Sequence, residues 1–462
     1  MKGSKQIDMV NGRLFKNIVL YTLPIIATSV LQLLFNTADL LVVGRYCGAD
    51  SVGAVGATGS IITLIVYLFM GLSIGVSVAV AQGLGGNHNT RVHKSVHTAF
   101  PVAAVGGIVL TIVGVLFSRY FLEWMGTPEE TIGLATIYMR IYFCGVLGNL
   151  VYNFGAAILR AAGDTVRPLI YLSIAGVVNV GLNLIFVIFF HMNVAGVALA
   201  TAISQFVSAT LVVIALMRRN DACKLELKKL CFDRQAVGRI LNIGIPAGIQ
   251  GTLFNISNVI IQAAVNSFGA EVVNGMSAAG NIEGYVYVSF SAFGQTALNF
   301  VGQNIGAKKE ERISRIIGIC FGCVTVTGLT LGVLSYVFGS QLLSLYITDS
   351  PEAIKYGVIK LLWMGVPYFL CGIMEVMSCT LRGMGSSVAA MLVSVLGVCG
   401  VRLVWIFTVF QMFHTLECLF FSYTVSWLAT IITDLIVYRV IVKKRRFHLE
   451  NPHVKRKIFG LK

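Results

Sequence analysis

The chain has 462 residues, of which 56% are hydrophobic and only 12% charged. A soluble domain carries about 25% charged and about 45–50% apolar residues, so a water-soluble enzyme, a nucleic-acid binder and a secreted scaffold are excluded. The net charge of +15 then has two readings, nucleic acid or membrane topology, and the positions of the basic residues decide between them.

Apolar stretches able to cross a ~30 Å hydrocarbon layer run over 17–43, 52–81, 96–117, 132–159, 168–190 and 195–217. Six more follow at 240–265, 272–302, 316–338, 353–379, 389–413 and 416–438. Continuous runs of this length exclude a β-barrel, whose strands alternate over about 10 residues. The sequence therefore predicts an all-α integral membrane protein of twelve transmembrane helices. Its parts are an N-terminal segment 1–16, a six-helix bundle 17–217, a linker 218–239, a second bundle 240–438 and a basic tail 439–462.

An even number of crossings puts both termini on one side, and 29 of the 35 Lys and Arg residues then fall on that side. The positive-inside rule makes that side cytoplasmic in a cytoplasmic (inner) membrane, so the charge reports topology and no nucleic-acid partner is expected. The basic tail is expected to rest on anionic lipid. Met1–Lys16 is polar and the first apolar run is too long for a signal core, so no cleavable signal peptide is expected.

The ten cysteines are scattered. Cys320 and Cys323 form a C-x-x-C pair inside an apolar span without partner ligands, which reads as packing rather than redox or metal chemistry. His93 and His97 share a helix face near the end of the third span, read as a polar helix end and not a metal site. No GxxxxGK[ST] phosphate loop, catalytic constellation or cofactor motif is present, so an ion or substrate gradient is expected to drive any transport.

The two halves match at an offset of 221–222 residues. Pro24 answers Pro246, Asn36 answers Asn258, and Gly48-Ala49-Asp50 answers Gly269-Ala270-Glu271. Gln82 and Arg91 pair with Gln303 and Arg312, and Leu159-Arg160-Ala161-Ala162-Gly163 with Leu381-Arg382-Gly383-Met384-Gly385. Arg140 and Lys360 fall at nearly equivalent places. Repeats of six helices share one orientation, so the bundles are related by a pseudo-two-fold axis along the membrane normal, with a central cleft that rocking would expose alternately. Gln82, Arg160, Gln303, Arg382 and Glu375 are read as hinge or gate positions.

These residues resemble the multidrug and toxic-compound extrusion (MATE) transporters. The likeness rests on Asn36-Thr37-Ala38-Asp39 with Gly44, Ala195-Gly196-Val197-Ala198-Leu199-Ala200-Thr201, Gly302-Gln303-Asn304-Ile305-Gly306-Ala307 and Leu381-Arg382-Gly383-Met384-Gly385, in order along nearly the whole chain. The resemblance implies a monomeric antiporter, not an enzyme, that exports amphiphilic, often cationic, compounds in exchange for H⁺ or Na⁺. Flippases for lipid-linked precursors are the alternative in the wider superfamily; they would need arginines facing the centre, for which the spans offer only Arg140, Arg402 and Lys360.

Carboxylates inside spans are costly, about 2.5–3.5 kcal/mol on insertion scales, and so are functional candidates. Asp39 has the apolar Ile261 as its repeat partner. Asn179 and Asn183 lie four apart on one helix face, with Thr201 on the next helix. The resemblance implies that Asp39, Asn179, Asn183 and Thr201 form a coupling-ion pocket; many relatives have Asp at the position of Asn183, and its absence favours H⁺ over Na⁺. Glu283 reads as a counter-ion to a cationic substrate or as a buried hydrogen-bonding group. Some sodium-coupled relatives carry a glutamate in helix 7, where this chain has Gln250 and Asn255 but no acid. Asp434 and Glu417 read as interfacial. Asn36, Phe154, Phe254, Met276, Glu283 and Tyr287 are candidate cleft residues, with Phe35, Tyr67 and Phe290 as further aromatics.

Overall fold

The computed structural model describes residues 6–347 and 350–450. Of the basic positions counted above, Lys2, Lys5, Lys455, Arg456, Lys457 and Lys462 lie outside the described residues, as does the side chain of Arg446. The first half forms α1 Leu14–Tyr46, α2 Ala49–Gly85, α3 Asn89–Trp124, α4 Glu129–Ala161, α5 Val166–Phe189 and α6 Asn193–Met217. The second forms α7 Arg234–Asn266, α8 Ala270–Gly306, α9 Glu310–Val337, α10 Pro351–Gly383, α11 Ser387–Met412 and α12 Leu416–Glu450. The all-helical, two-bundle architecture expected from the sequence is the one found. The helices outrun their apolar spans: the 37 residues of α2 reach about 55 Å at 1.5 Å per residue, beyond a ~30 Å core.

Among the described residues, ten of the helices are long and apolar enough on their own to cross a membrane; α7 and α8 are not among them. Each has one face made of polar groups that look into the centre, Gln250, Asn255 and Asn258 on α7 and Glu283, Gln295 and Asn299 on α8. Neighbouring helices, not their own composition, make these two tolerable in lipid.

The bundles do not divide at the linker as cleanly as the sequence suggests. Tyr21 and Ile25 on the first half of α1, with Met9 before it, are buried in the second bundle's core. Ile240 on the first half of α7 is buried in the first bundle's core. Pro24 and Pro246 lie inside α1 and α7, and proline removes an internal hydrogen bond and lets a helix bend between two partners. At the α2–α7 crossing Gly71 and Gly75 face Gly244 and Gly248. A Cβ at any of the four would overlap the opposite backbone, which is the use of small residues where helices meet in a membrane.

Three stretches widen to π geometry: Ile185–Phe189 in α5, Leu361–Gly365 in α10 and Val395–Gly400 in α11. Each lies beside a polar residue, the buried Asn183, the partly buried Lys360 or the buried Arg402. Such bulges recur at functional sites because they free backbone groups and re-aim side chains.

The linker is tied to α3. Glu226 N–H donates to His97 Nε2 at 3.0 Å, and His97 Nδ1 lies 2.8 Å from His93 O, so the ring donates from Nδ1 and accepts at Nε2. The His93–His97 pair thus anchors the linker. Burial pushes the Asp221 carboxyl up, but the hydrogen bonds and charge of Arg219 outweigh it and hold it below the usual range. All ten cysteines are free, with Cys320 buried.

Candidate functional site

A cavity of about 1120 Å³ lies between the bundles, at or above the ~300–1,000 Å³ of small-molecule sites. Four residues from three helices meet on its first-bundle wall. Asn183 Nδ2 on α5 donates to Asp39 Oδ1 on α1 at 2.5 Å, and Thr201 Oγ1 on α6 lies 3.4 Å from Asp39 Oδ2. Asn183 Nδ2 also reaches Asn179 Oδ1, and Asn179 Nδ2 reaches Thr201 Oγ1, each at 3.3 Å. The ring is closed around one carboxylate. Asp39, Asn179 and Thr201 line the cavity, while Asn183 sits behind them, fully buried, with its Oδ1 unpaired. Tyr138 and Tyr142 of α4 line the same wall.

Of the candidate cleft residues, Asn36, Phe254, Met276, Glu283 and Tyr287 line the cavity, as do Phe35 and Tyr67. Phe154 does not. Its α4 neighbours Tyr152 and Asn153 face the cavity, and the turn of the helix carries Phe154, 1% exposed, into the first bundle's core. Phe290 is likewise core, packed edge-on against Tyr287 and Tyr368 at 5.3 and 5.0 Å.

The second-bundle wall differs in charge. Glu283 is not free to meet a cation: its Oε2 lies 3.0 Å from Lys360 Nζ, which also donates to Met276 O at 3.2 Å. Arg402 is buried yet lines the cavity; its Nε donates to Ser426 Oγ at 3.0 Å and its guanidinium carbon lies 3.9 Å above the Tyr423 ring. Arg140 is not the counterpart of Lys360 in environment. It is exposed and donates from Nε to Val115 O at 3.1 Å.

One end of the cavity is closed by matched contacts. Gln82 Nε2 at the end of α2 donates to Gly383 O at 2.9 Å, and Gln303 Nε2 at the end of α8 donates to Ala161 O at 2.7 Å. Each glutamine reaches across to the other bundle. Ser77 donates to Asn299 Oδ1 at 2.8 Å and Tyr21 to Arg160 O at 2.8 Å. Arg160, Arg382 and Glu375 line the cavity near this end; Arg382 donates to Gln250 Oε1 at 2.7 Å and Cys379 Sγ lies 3.3 Å from Glu375 Oε1.

The N-terminal segment straps this end. Ile7 N–H donates to Gly163 O at 3.1 Å in the first bundle. Asn304 Nδ2 donates to Met9 O at 3.0 Å and Arg312 to Gly12 O at 2.8 Å in the second. Gly163 has φ +86°, and a Cβ there would strike Ile7 O, so this turn needs glycine on both counts. Partial burial pushes the Asp8 carboxyl up, but the backbone N–H groups of Asn11 and Val10 outweigh it and hold it below the usual range.

Sequence reasoning missed three features. The strap is polar and has no periodic pattern. Arg402 reads in the sequence only as one of three possible centre-facing cations for a flippase. Asp434, read as interfacial, is instead fully buried on α12 with neither oxygen hydrogen-bonded, because α12 runs on well past the apolar span. Glu417 is exposed at the start of α12.

A duplicated twelve-helix chain enclosing a drug-sized, partly polar cavity defines a multi-pass membrane transporter. The MatE family model matches residues 24–185 and 246–408, once in each half, and the chain belongs to that family, whose members are membrane transporters and not enzymes. The chain is 29% identical over 394 residues to a probable multidrug resistance protein, YpnP of Bacillus subtilis, covering 85% of this chain and 87% of the relative. It is 22% identical over 356 residues to an FAD transporter of Shewanella oneidensis, covering 75% and 77%. Its fold matches a solved outward-facing conformation of a multidrug resistance MATE family transporter with a TM-score of 0.89 at 20% identity, covering 96% and 99%.

Proposed function

We propose that this transporter exports amphiphilic compounds, cations among them, from the cytoplasm in exchange for H⁺. Its two bundles rock in a cytoplasmic membrane with both termini inside. The observation that carries the coupling is the ring around Asp39: a single carboxylate on the cavity wall, held by Asn183 and Thr201, which Asn179 joins, on the first bundle alone. A proton arriving from outside neutralises Asp39 and removes the charge that Asn183 and Thr201 hold. The three helices then repack and a bound cation loses its partner. Loss of the proton to the cytoplasm restores the charge. One carboxylate among amide and hydroxyl groups suits a proton better than Na⁺, a hard cation that draws several oxygen ligands. The closed end lies on the strongly basic side of the chain, so this conformation opens outward. The basic tail rests on anionic lipid, and the chain works as a monomer.

The flippase reading gains Arg160, Arg382, Arg402 and Lys360 around the cavity, but Asp39, Glu283 and Glu375 stand among them. A pyrophosphate cradle would not place three carboxylates against its ligand. Efflux of a fluorescent cation from proteoliposomes, with H⁺ and Na⁺ gradients imposed separately, tests the proposal. Wild type responds to the H⁺ gradient and Asp39→Asn falls to the level of empty vesicles. H⁺-driven efflux by Asp39→Asn at the wild-type rate overturns it.

A further inference from the structure

We propose that the second-bundle wall carries a subsite for the anionic end of an amphiphile. Arg402 and Lys360 form it, against the rings of Tyr423, Tyr368 and Trp427, so that zwitterions and organic acids enter the cavity along with cations. This deepens the export reading and rests on the cavity being the substrate site.

The charges decide it. Four cations and three carboxylates line the cavity, and they are not evenly matched. Lys360 is already balanced by Glu283 at 3.0 Å. Arg402 forms no ion pair among the described residues; only its Nε has an acceptor, and the two terminal nitrogens have none. Those nitrogens are not sealed in protein, since Arg402 lines the cavity. The guanidinium of a residue only 5% exposed, without a counter-ion, is costly in a low-dielectric wall, and a ligand bringing a carboxylate or phosphate relieves that cost. The planar fork suits either group, with two parallel hydrogen bonds.

The surroundings fit such a ligand. The guanidinium lies 3.9 Å above Tyr423 and 5.9 Å from Trp427, which holds its plane while leaving an edge free. Tyr368 stacks on Trp427 at 5.5 Å, giving an apolar bed for the body of the molecule. Lys360, Arg402 and the three rings all line the one cavity. The π stretches Leu361–Gly365 and Val395–Gly400 adjoin the two cations and aim them inward.

The duplication points the same way. Ser173–Phe186 of α5 aligns with Ser394–Phe407 of α11, Ser against Ser and Gly176 against Gly397, which sets Arg402 opposite Gly181. At the places of Asp39, Asn179, Asn183 and Thr201 the second bundle has Ile261, Gly400, Val404 and Tyr423. Where one wall draws cations, the other has discarded the acid and gained a base. A molecule bearing both charges can span the cavity between them.

Rhodamine B and its ethyl ester share one ring system and differ by one carboxylate. Binding of each to the purified full-length chain in nanodiscs, read by fluorescence anisotropy, tests the subsite. Wild type binds the acid about tenfold more tightly than the ester, and added salt erodes only that difference. Arg402→Gln brings the acid down to the ester's affinity and leaves the ester within about twofold, while Arg402→Lys keeps part of the preference. Equal binding of acid and ester by wild type overturns the proposal, and that result needs no variant to fold. So does an Arg402→Gln protein that loses both dyes equally. The assay uses no gradient, so its failure leaves proton coupling standing, and loss of gradient-driven efflux leaves the subsite standing.

Discussion

The two walls of the cavity descend from one sequence and have become chemical opposites, while the closed end has stayed nearly symmetric. On the first wall Asp39 is ringed by Asn183, Asn179 and Thr201. In the second half the aligned positions are Ile261, Val404, Gly400 and Tyr423, of which Ile261 and Tyr423 line the second wall, with Arg402 added. At the closed end Gln82 and Gln303 make the same hydrogen bond in opposite directions. A pseudo-two-fold gate lets both bundles pivot alike, whereas coupling needs a titrating group whose state biases one bundle against the other. Symmetry is kept where the motion is shared and lost where charge is read.

The largest effect comes from trying to move the acid across. Asp39→Asn abolishes H⁺-driven efflux, and adding Ile261→Asp does not restore it, although Ile261 lines the same cavity. The new carboxylate would lack the amides of Asn179 and Asn183. It would also face a wall bearing Arg402, which holds a carboxylate ionised. Vesicle efflux for the single and double variants checks this. Rescue by the double variant would mean that the walls are interchangeable and that the contrast drawn between them has no bearing on coupling.

A smaller effect separates a structural ion pair from a free one. Glu283→Gln and Lys360→Met each strand a partner at the cavity wall, so each lowers the thermal midpoint. The double variant loses less than the sum, with a coupling of about 1–3 kcal/mol. Arg402→Met, with no partner to strand, costs no such coupling with Glu283. Thermal unfolding in detergent measures the cycle. Equal coupling of Glu283 to Lys360 and to Arg402 would place both cations in one network and remove the uncompensated charge.

Much of this was legible in the chain. Apolar runs near 25 residues set the helix count and the offset of 221–222 set the two bundles, because both follow from local composition. Asp39 was legible because a lone acid in a span is conspicuous and its repeat partner is Ile261. Environment was harder to read. Phe154 and Asn153 differ by one residue but by 100° around α4, so one is core and the other faces the cavity. The exchange of α1 and α7 between bundles depends on contacts across the whole chain, as does the burial of Asp434. Glu283 could be assigned as counter-ion or buried partner only once Lys360, 77 positions away, was found beside it.

The gate gives the smallest effect and tests the symmetric half of the comparison. Gln82 and Gln303 each donate one amide–carbonyl hydrogen bond across the bundle interface, worth about 1 kcal/mol net. That bond exists only while this end is closed, so its loss changes the ratio of closed to open by about fivefold, not the stability of either bundle. Gln82→Ala and Gln303→Ala should therefore shift the population equally. Spin-label distances between the ends of α2 and α8 report that shift, since a Cβ on Gly85 or Gly306 would already touch the opposite helix. The two bonds join different pairs of helices, α2 to α10 and α8 to α4, so the double variant should show additive shifts. Unequal shifts would show that the strap, which ties Gly163 on one side and Asn304 and Arg312 on the other, has already broken the symmetry of the gate.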